Sequence, residues 1–144
     1  MPYATHQDMT DRFGTDELVA LTDRANPPTD AIDATVLDRA IASAAAEIDA
    51  ALAARYAVPV AAPVPTLLVD ICCDLARWRL YDEAPSETVV NRADAARTQL
   101  RGLSRGDLVL PLPTPSSTGT QAGAADARIV AGVRRFTDPS MRGF

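Results

Sequence analysis

Lysine is absent from this sequence, and all 14 basic residues are arginine. Histidine occurs once, at His6, and cysteine twice, side by side at Cys72 and Cys73. Aromatic residues make up only 5% of the 144 residues. The missing lysine is a composition bias and carries no functional weight. The lone His6 has no Ser, Cys or carboxylate arrangement around it in sequence, so it is a poor candidate general base and is expected at the surface or in a helix cap. Cys72 and Cys73 lack a basic neighbour that would hold a thiolate. Adjacent residues on a helix point in different directions, so a bridge between them would be strained. They are expected as free thiols in a core, which fits a reducing compartment. Too few aromatics remain to build a stacking platform for bases, and the core must come from Leu, Val, Ile and Ala.

Other signatures are missing as well. No Cys-x-x-Cys or His-x-x-x-His pair offers metal ligands. Asp70 and Asp74 share a helix face, but pairing with Arg77 or an arginine of the third helix is the expected use. Gly102 and Gly106 bracket Leu103-Ser104-Arg105 without the spacing or the lysine of a phosphate loop. The first residues have neither a basic region nor an apolar run, so no secretory leader is expected. No run is long and apolar enough for a membrane span. The expectation is a chain that is no enzyme and needs no cofactor or metal.

What is present is an apolar fraction of 47% in a length suited to one domain. The net charge is −5, which argues against general nucleic-acid binding. Residues 1–110 hold ten arginines against 17 acids, and residues 111–144 hold four against two. An acidic body with a weakly basic end suits docking on an acidic neighbour, a second copy included.

Helix signals recur along the body. Residues 5–13 read as a short helix started by Thr5 or His6 and stopped by Gly14. Thr15 is the expected cap of a second, with Leu18, Val19 and Leu21 inward. The turn Asn26-Pro27-Pro28-Thr29-Asp30 ends it. Residues 33–56 carry the clearest stripe: Val36, Leu37, Ala40, Ile41, Ala44, Ile48, Leu52 and Tyr56. Ala44-Ala45-Ala46 give it a thin face that another helix can approach. A fourth helix is expected over residues 66–81. There Arg77 and Arg79 either flank Trp78 or reach acids of the third helix. A fifth is expected from Ser86 to about Leu100 or Arg101, closed by Gly102. Asp107-Leu108-Val109-Leu110-Pro111-Leu112-Pro113 reads as an edge strand or extended arm.

Residues 113–127 are rich in Pro, Ser, Thr, Gly and Ala and read as a linker. The last stretch regains apolar and basic residues, with Arg134, Arg135, Phe136, Met141, Arg142 and Phe144. Apolar anchors beyond a linker are the pattern of a docking peptide. The expected fold class is all-α: a bundle of about four to five helices with a short β-arm and an extended C-terminal tail. The expected division is a helical domain over residues 1–106, then arm, linker and docking peptide over 107–144.

Several segments arrive in an order that carries a resemblance. They are Tyr3-Ala4-Thr5 through Phe13-Gly14, then Glu17-Leu18; Ala46-Glu47-Ile48-Asp49-Ala50-Ala51-Leu52-Ala53-Ala54-Arg55-Tyr56 running into Val58-Pro59-Val60; and Asp70-Ile71-Cys72-Cys73-Asp74-Leu75-Ala76-Arg77-Trp78-Arg79-Leu80-Tyr81. Leu103-Ser104-Arg105-Gly106 with Leu110-Pro111, and the terminal Phe136-Thr137-Asp138-Pro139-Ser140-Met141-Arg142-Gly143-Phe144, complete the set. The chain resembles the head–tail connector (head-completion or adaptor) proteins of Mu-like tailed bacteriophages and prophages over nearly its whole length. It departs at Arg105, where a lysine before the glycine is common, and at Met141, where leucine is usual.

The resemblance implies a structural virion protein at the neck, assembled in the host cytoplasm. It implies a homo-oligomeric ring of twelve copies beneath the portal, continuing the DNA channel toward a tail-side neck or tail-completion protein. DNA would pass without specific binding, and no membrane is involved. By the same resemblance, Leu108, Val109, Leu110 and Leu112 of the arm, and the C-terminal peptide, reach the portal or a neighbouring subunit. Two other readings remain: a tail-completion or terminator protein binding tail components, and, more remotely, a small DNA-binding regulator, which would need a compact basic helix.

Overall fold

The computed structural model describes residues 2–112. Within them the chain forms five helices and no strand: α1 (His6–Phe13), α2 (Thr15–Thr22), α3 (Ala34–Leu52), α4 (Thr66–Leu80) and α5 (Glu87–Arg105). The architecture is all-α. α3, α4 and α5 pack on one another, and the α1–α2 pair closes against α4 and α3.

Local chemistry accounts for most boundaries. Thr5 caps α1 in a reciprocal capping box with Asp8, each satisfying an amide that the first turn leaves open. Gly14 then takes φ 84°, a conformation that costs glycine little, and lets α2 begin at once. Thr15 is thus the first residue of α2 and not its cap. Asp33 caps α3 by accepting from the amides of Thr35 and Val36. Thr22, the one buried polar side chain among the described residues, is satisfied twice. Its hydroxyl donates to the Leu18 carbonyl at 2.7 Å and accepts the Asp33 amide at 3.0 Å.

The α3 stripe is the floor of the core. Leu37, Ile41, Ala44, Ile48 and Leu52 are buried along it, and Tyr56 continues the same face past the helix end. α4 answers with Leu68, Ile71, Cys72, Cys73, Leu75 and Leu80. α5 adds Val89, Ala93, Ala96, Leu100 and Leu103. Each large aliphatic side chain so buried stabilises the fold by roughly 1.5–3 kcal/mol before conformational entropy is counted. Both cysteines are free and buried, and burial pushes their thiols up, Cys72 to about 11 and Cys73 to about 12.

Two sequence expectations are corrected here. α5 does not close at Gly102. It runs on to Arg105 and ends on Gly106, which takes the left-handed conformation at φ 91°. The extra turn buries Leu103, which continues the spacing of Ala96 and Leu100, and that burial outweighs the weak helix propensity of one glycine. Nor do residues 107–112 form a β-arm. They are bends and irregular backbone, following the turn at Gly106 and folded back on the body. The amides of Gly106 and Leu108 both donate to the Gly102 carbonyl, and the Leu110 amide donates to the Tyr56 hydroxyl at 3.0 Å. With those donors turned inward and none on Pro111, no strand ladder can start. The expected C-terminal tail lies outside the described residues.

Ala44 has no exposed surface, so a larger side chain there must push neighbouring helices apart. Ala44→Leu is expected to cost about 1–3 kcal/mol. Urea denaturation measures it, and a cost near zero would show that α3 is not tightly packed.

Candidate protein interface

The folded-back segment presents its side chains unequally. Leu110 is 3% exposed and plugs the core beside Tyr56. Leu112 is half-buried against the same core. Leu108 and Val109 point outward, 43% and 70% exposed, and are the exposed large hydrophobics among the described residues. Leu108 lies over Gly102, where an added Cβ would sit 3.2 Å from its Cδ1. At Gly106 it is the φ of 91° that favours glycine, since the atoms nearest an added Cβ are the far end of the flexible Arg55 side chain, which can move aside. The result is a small apolar tip on a firmly anchored loop. Arg134, Arg135, Phe136, Met141, Arg142 and Phe144, the other expected interface residues, lie outside the described residues.

Elsewhere in the body the arginines tie helices together. Glu47 of α3 accepts from Arg79 of α4 and from Arg97 of α5, the latter at 3.0 Å. Arg97 also lies 4.4 Å over the Trp78 ring. Trp78 is therefore held by α5 and not by its sequence neighbours, and Arg79 reaches the third helix. Arg77 turns the other way. It grips Glu17 of α2 with two nitrogens at 2.7 and 3.0 Å and covers Phe13 at 4.5 Å. Asp70 pairs with Arg12, and Asp74 lies 3.8 Å from Arg92. Both partners differ from those expected, because α1 and α5 and not α3 flank this face of α4. His6 is partly exposed, with Nε2 2.6 Å from Asp38.

A groove that the sequence reading missed runs between the N-terminal segment and α3. It encloses about 650 Å³ and is lined by Pro2, Ala4, Ile41, Ala42, Ala45 and Ala46, with Asp38 and Asp49 among its polar residues. Tyr3 fixes one wall. Its hydroxyl donates to the Asp49 carboxylate and accepts the Val60 amide at 3.0 Å. Burial, reinforced by Asp49, pushes the Tyr3 hydroxyl up to about 12, so it stays protonated as a donor. The only local signal for this groove was the run of alanines. Among the described residues no three His, Cys, Asp or Glu side chains converge as a metal site. No helix there is long and apolar enough to cross a membrane.

A helical body with an anchored apolar tip and internally paired charges can be set beside known proteins. The chain matches the family model described as Bacteriophage Mu, Gp36, over residues 3–129. It belongs to the bacteriophage Mu Gp36 family. The match takes in all five helices and continues past Leu112. This Gp36-family chain is also similar to "Gene product J" of Escherichia phage Mu, at 37% identity over 89 residues, 62% of each chain. It thus spans less than two thirds of the curated relative it matches.

One carboxylate in the Gp36-family body is held under tension between burial and pairing. Burial raises the Asp74 pKa above the usual carboxylate range, against the opposing pull of Arg92 and Arg12. Its buried Oδ1 accepts no hydrogen bond. A carboxyl that holds its proton more tightly when folded favours the fold at low pH, and that contribution is lost as pH rises through the folded value. Asp74→Asn is therefore expected to stabilise at neutral pH and to lose its advantage below about pH 4. Denaturation at both pH values checks this, and a variant less stable at neutral pH would refute it.

Proposed function

We propose that this chain is a structural virion subunit of the phage neck. In this reading copies form a ring, expected to be twelve-fold, that joins the portal at the capsid vertex to the tail and continues the DNA channel. Residues 1–112 supply the ring body with its Leu108–Val109 tip, and residues 113–144 reach to the portal or to a neighbouring copy. The chain performs no reaction and needs no cofactor, and DNA passes through the channel without specific binding. It acts in the virion after assembly in the host cytoplasm.

The observation that carries this reading is the exposed Leu108–Val109 tip, anchored on both sides in a protein of the Mu Gp36 family. Apolar side chains held rigidly at a surface lose little entropy on docking. Membership in a Mu phage family supports a virion role. The polar chemistry supports a structural role over an enzymatic one. Glu47 with Arg79 and Arg97, and Glu17 with Arg77, tie helices to one another. The acidic body charge suits a passage through which DNA slides, since like charges keep the phosphates from sticking. A tail-completion role would use the same tip on a tail component.

The test is electron microscopy of the chain co-expressed with the portal protein of its phage. A ring of this chain capping the portal is the expected result. A bare portal with the chain left free would move the reading to a tail-side partner. Val109→Asp is expected to leave helix content unchanged, because its side chain faces solvent, and to reduce ring or portal assembly at least about tenfold. Wild-type assembly in that variant would remove the tip from the interface.

A further inference from the structure

We infer that the groove between the N-terminal segment and α3 is the receptor for residues 128–136 of this same chain. The groove has an apolar floor of Ile41, Ala42, Ala45 and Ala46, and no arginine lines it among the described residues. Asp38 and Asp49 lie along it, eleven residues apart on α3, which is about 16 Å of helix and close to three full turns. Both carboxylates therefore rise from one helix face, with the alanines between them. Among the described residues that line it, His6 is the basic side chain at the rim, beside Asp38.

The segment Arg128-Ile129-Val130-Ala131-Gly132-Val133-Arg134-Arg135-Phe136 has the complementary order. Its ends are basic and its centre is apolar and carries small residues. Arg128 and Arg134 are separated by at most about 20 Å when extended, so one peptide can present a guanidinium to each carboxylate. Arginine suits this task because its planar fork grips a carboxylate with two hydrogen bonds. Ala42 and Ala46 are exposed and leave room for the Ile129, Val130 and Val133 side chains. Residues 113–127 reach up to about 50 Å from Leu112, well beyond the roughly 28 Å length of α3. The linker thus allows the segment to reach this groove on its own body or on an adjoining one. The contact does not depend on the neck reading, since it concerns two parts of one sequence.

The experiment uses the full-length chain carrying a photo-reactive benzoylphenylalanine at Pro2 or, separately, at Ala46. Equal amounts of light- and heavy-nitrogen protein are mixed before irradiation, and cross-linked peptides are mapped by mass spectrometry. Cross-links from both positions into residues 128–136 are expected. Same-label and mixed-label products both support the docking, and their ratio tells which copy supplies the segment. Asp38→Arg should lower the yield about fivefold, as should Arg134→Asp with Arg135→Asp, and combining the reversals should restore it. Circular dichroism confirms that each variant keeps its helices. Cross-links confined to other surfaces, or a yield unmoved by every charge reversal, would overturn the assignment. It would do so whether or not a ring forms on the portal.

Discussion

Ala44 decides how near the other helices can come to α3. It sits fully buried in a stripe that runs from Leu37 to Tyr56, and its single methyl lets the neighbouring helices close over Ile41 and Ile48. Most of the remaining order depends on that approach. Glu47 is the neighbour of Ile48 in sequence, about 100° round the helix from it, and meets arginines from two other helices only because they lie this close. Tyr56 reaches the Leu110 amide, and Asp49 reaches Tyr3, from the end of the same helix. α3 is thus both the floor of the core and the frame on which both ends of the described chain are hung.

The arginines give the all-α body its second layer of specificity. Composition alone makes the absence of lysine look incidental. In the fold, Arg77 and Arg97 each combine a carboxylate with an aromatic face, Glu17 with Phe13 and Glu47 with Trp78. A planar guanidinium can stack and donate at once, whereas an ammonium is a compact, strongly hydrated charge. These pairs are partly exposed, so their contribution lies in setting which helix faces which more than in raw stability. They also account for how a chain with few aromatics places its single tryptophan.

Local patterns showed the elements, and distant contacts corrected their ends. The α3 stripe, the Thr5 and Gly14 signals and the five-helix count were legible because each rests on spacing or capping within a few residues. α5 outran Gly102 because Leu103 gains burial from helices that a local reading does not see. The β-arm failed for a similar reason: the donors it needed were turned to Gly102 and to Tyr56, the latter 54 residues away. The partners of Asp70 and Asp74 were misassigned because an i,i+4 pattern shows which side chains share a face, not which helix covers it. Of the expected interface, Leu108 and Val109 stand out from the surface while Leu110 is held in the core. The groove against α3 is not legible locally because one wall of it is built by Pro2, Ala4, Thr5 and His6, some forty residues from the alanines they face.

The Tyr3 hydroxyl joins three parts of the chain at one oxygen: the segment before α1, the end of α3 through Asp49, and the α3–α4 connection through Val60. This junction fixes a load path. A pull applied at the first residues is carried by Tyr3, buried to 3% exposure, into α3, which at 19 residues is matched in length only by α5 among the described residues, before it can reach α1. The short α1–α2 pair is thereby shielded, and force entering at the N-terminus is delivered to the middle of the bundle. A chain gripped there would resist peeling until the buried Tyr3 and its two hydrogen bonds gave way.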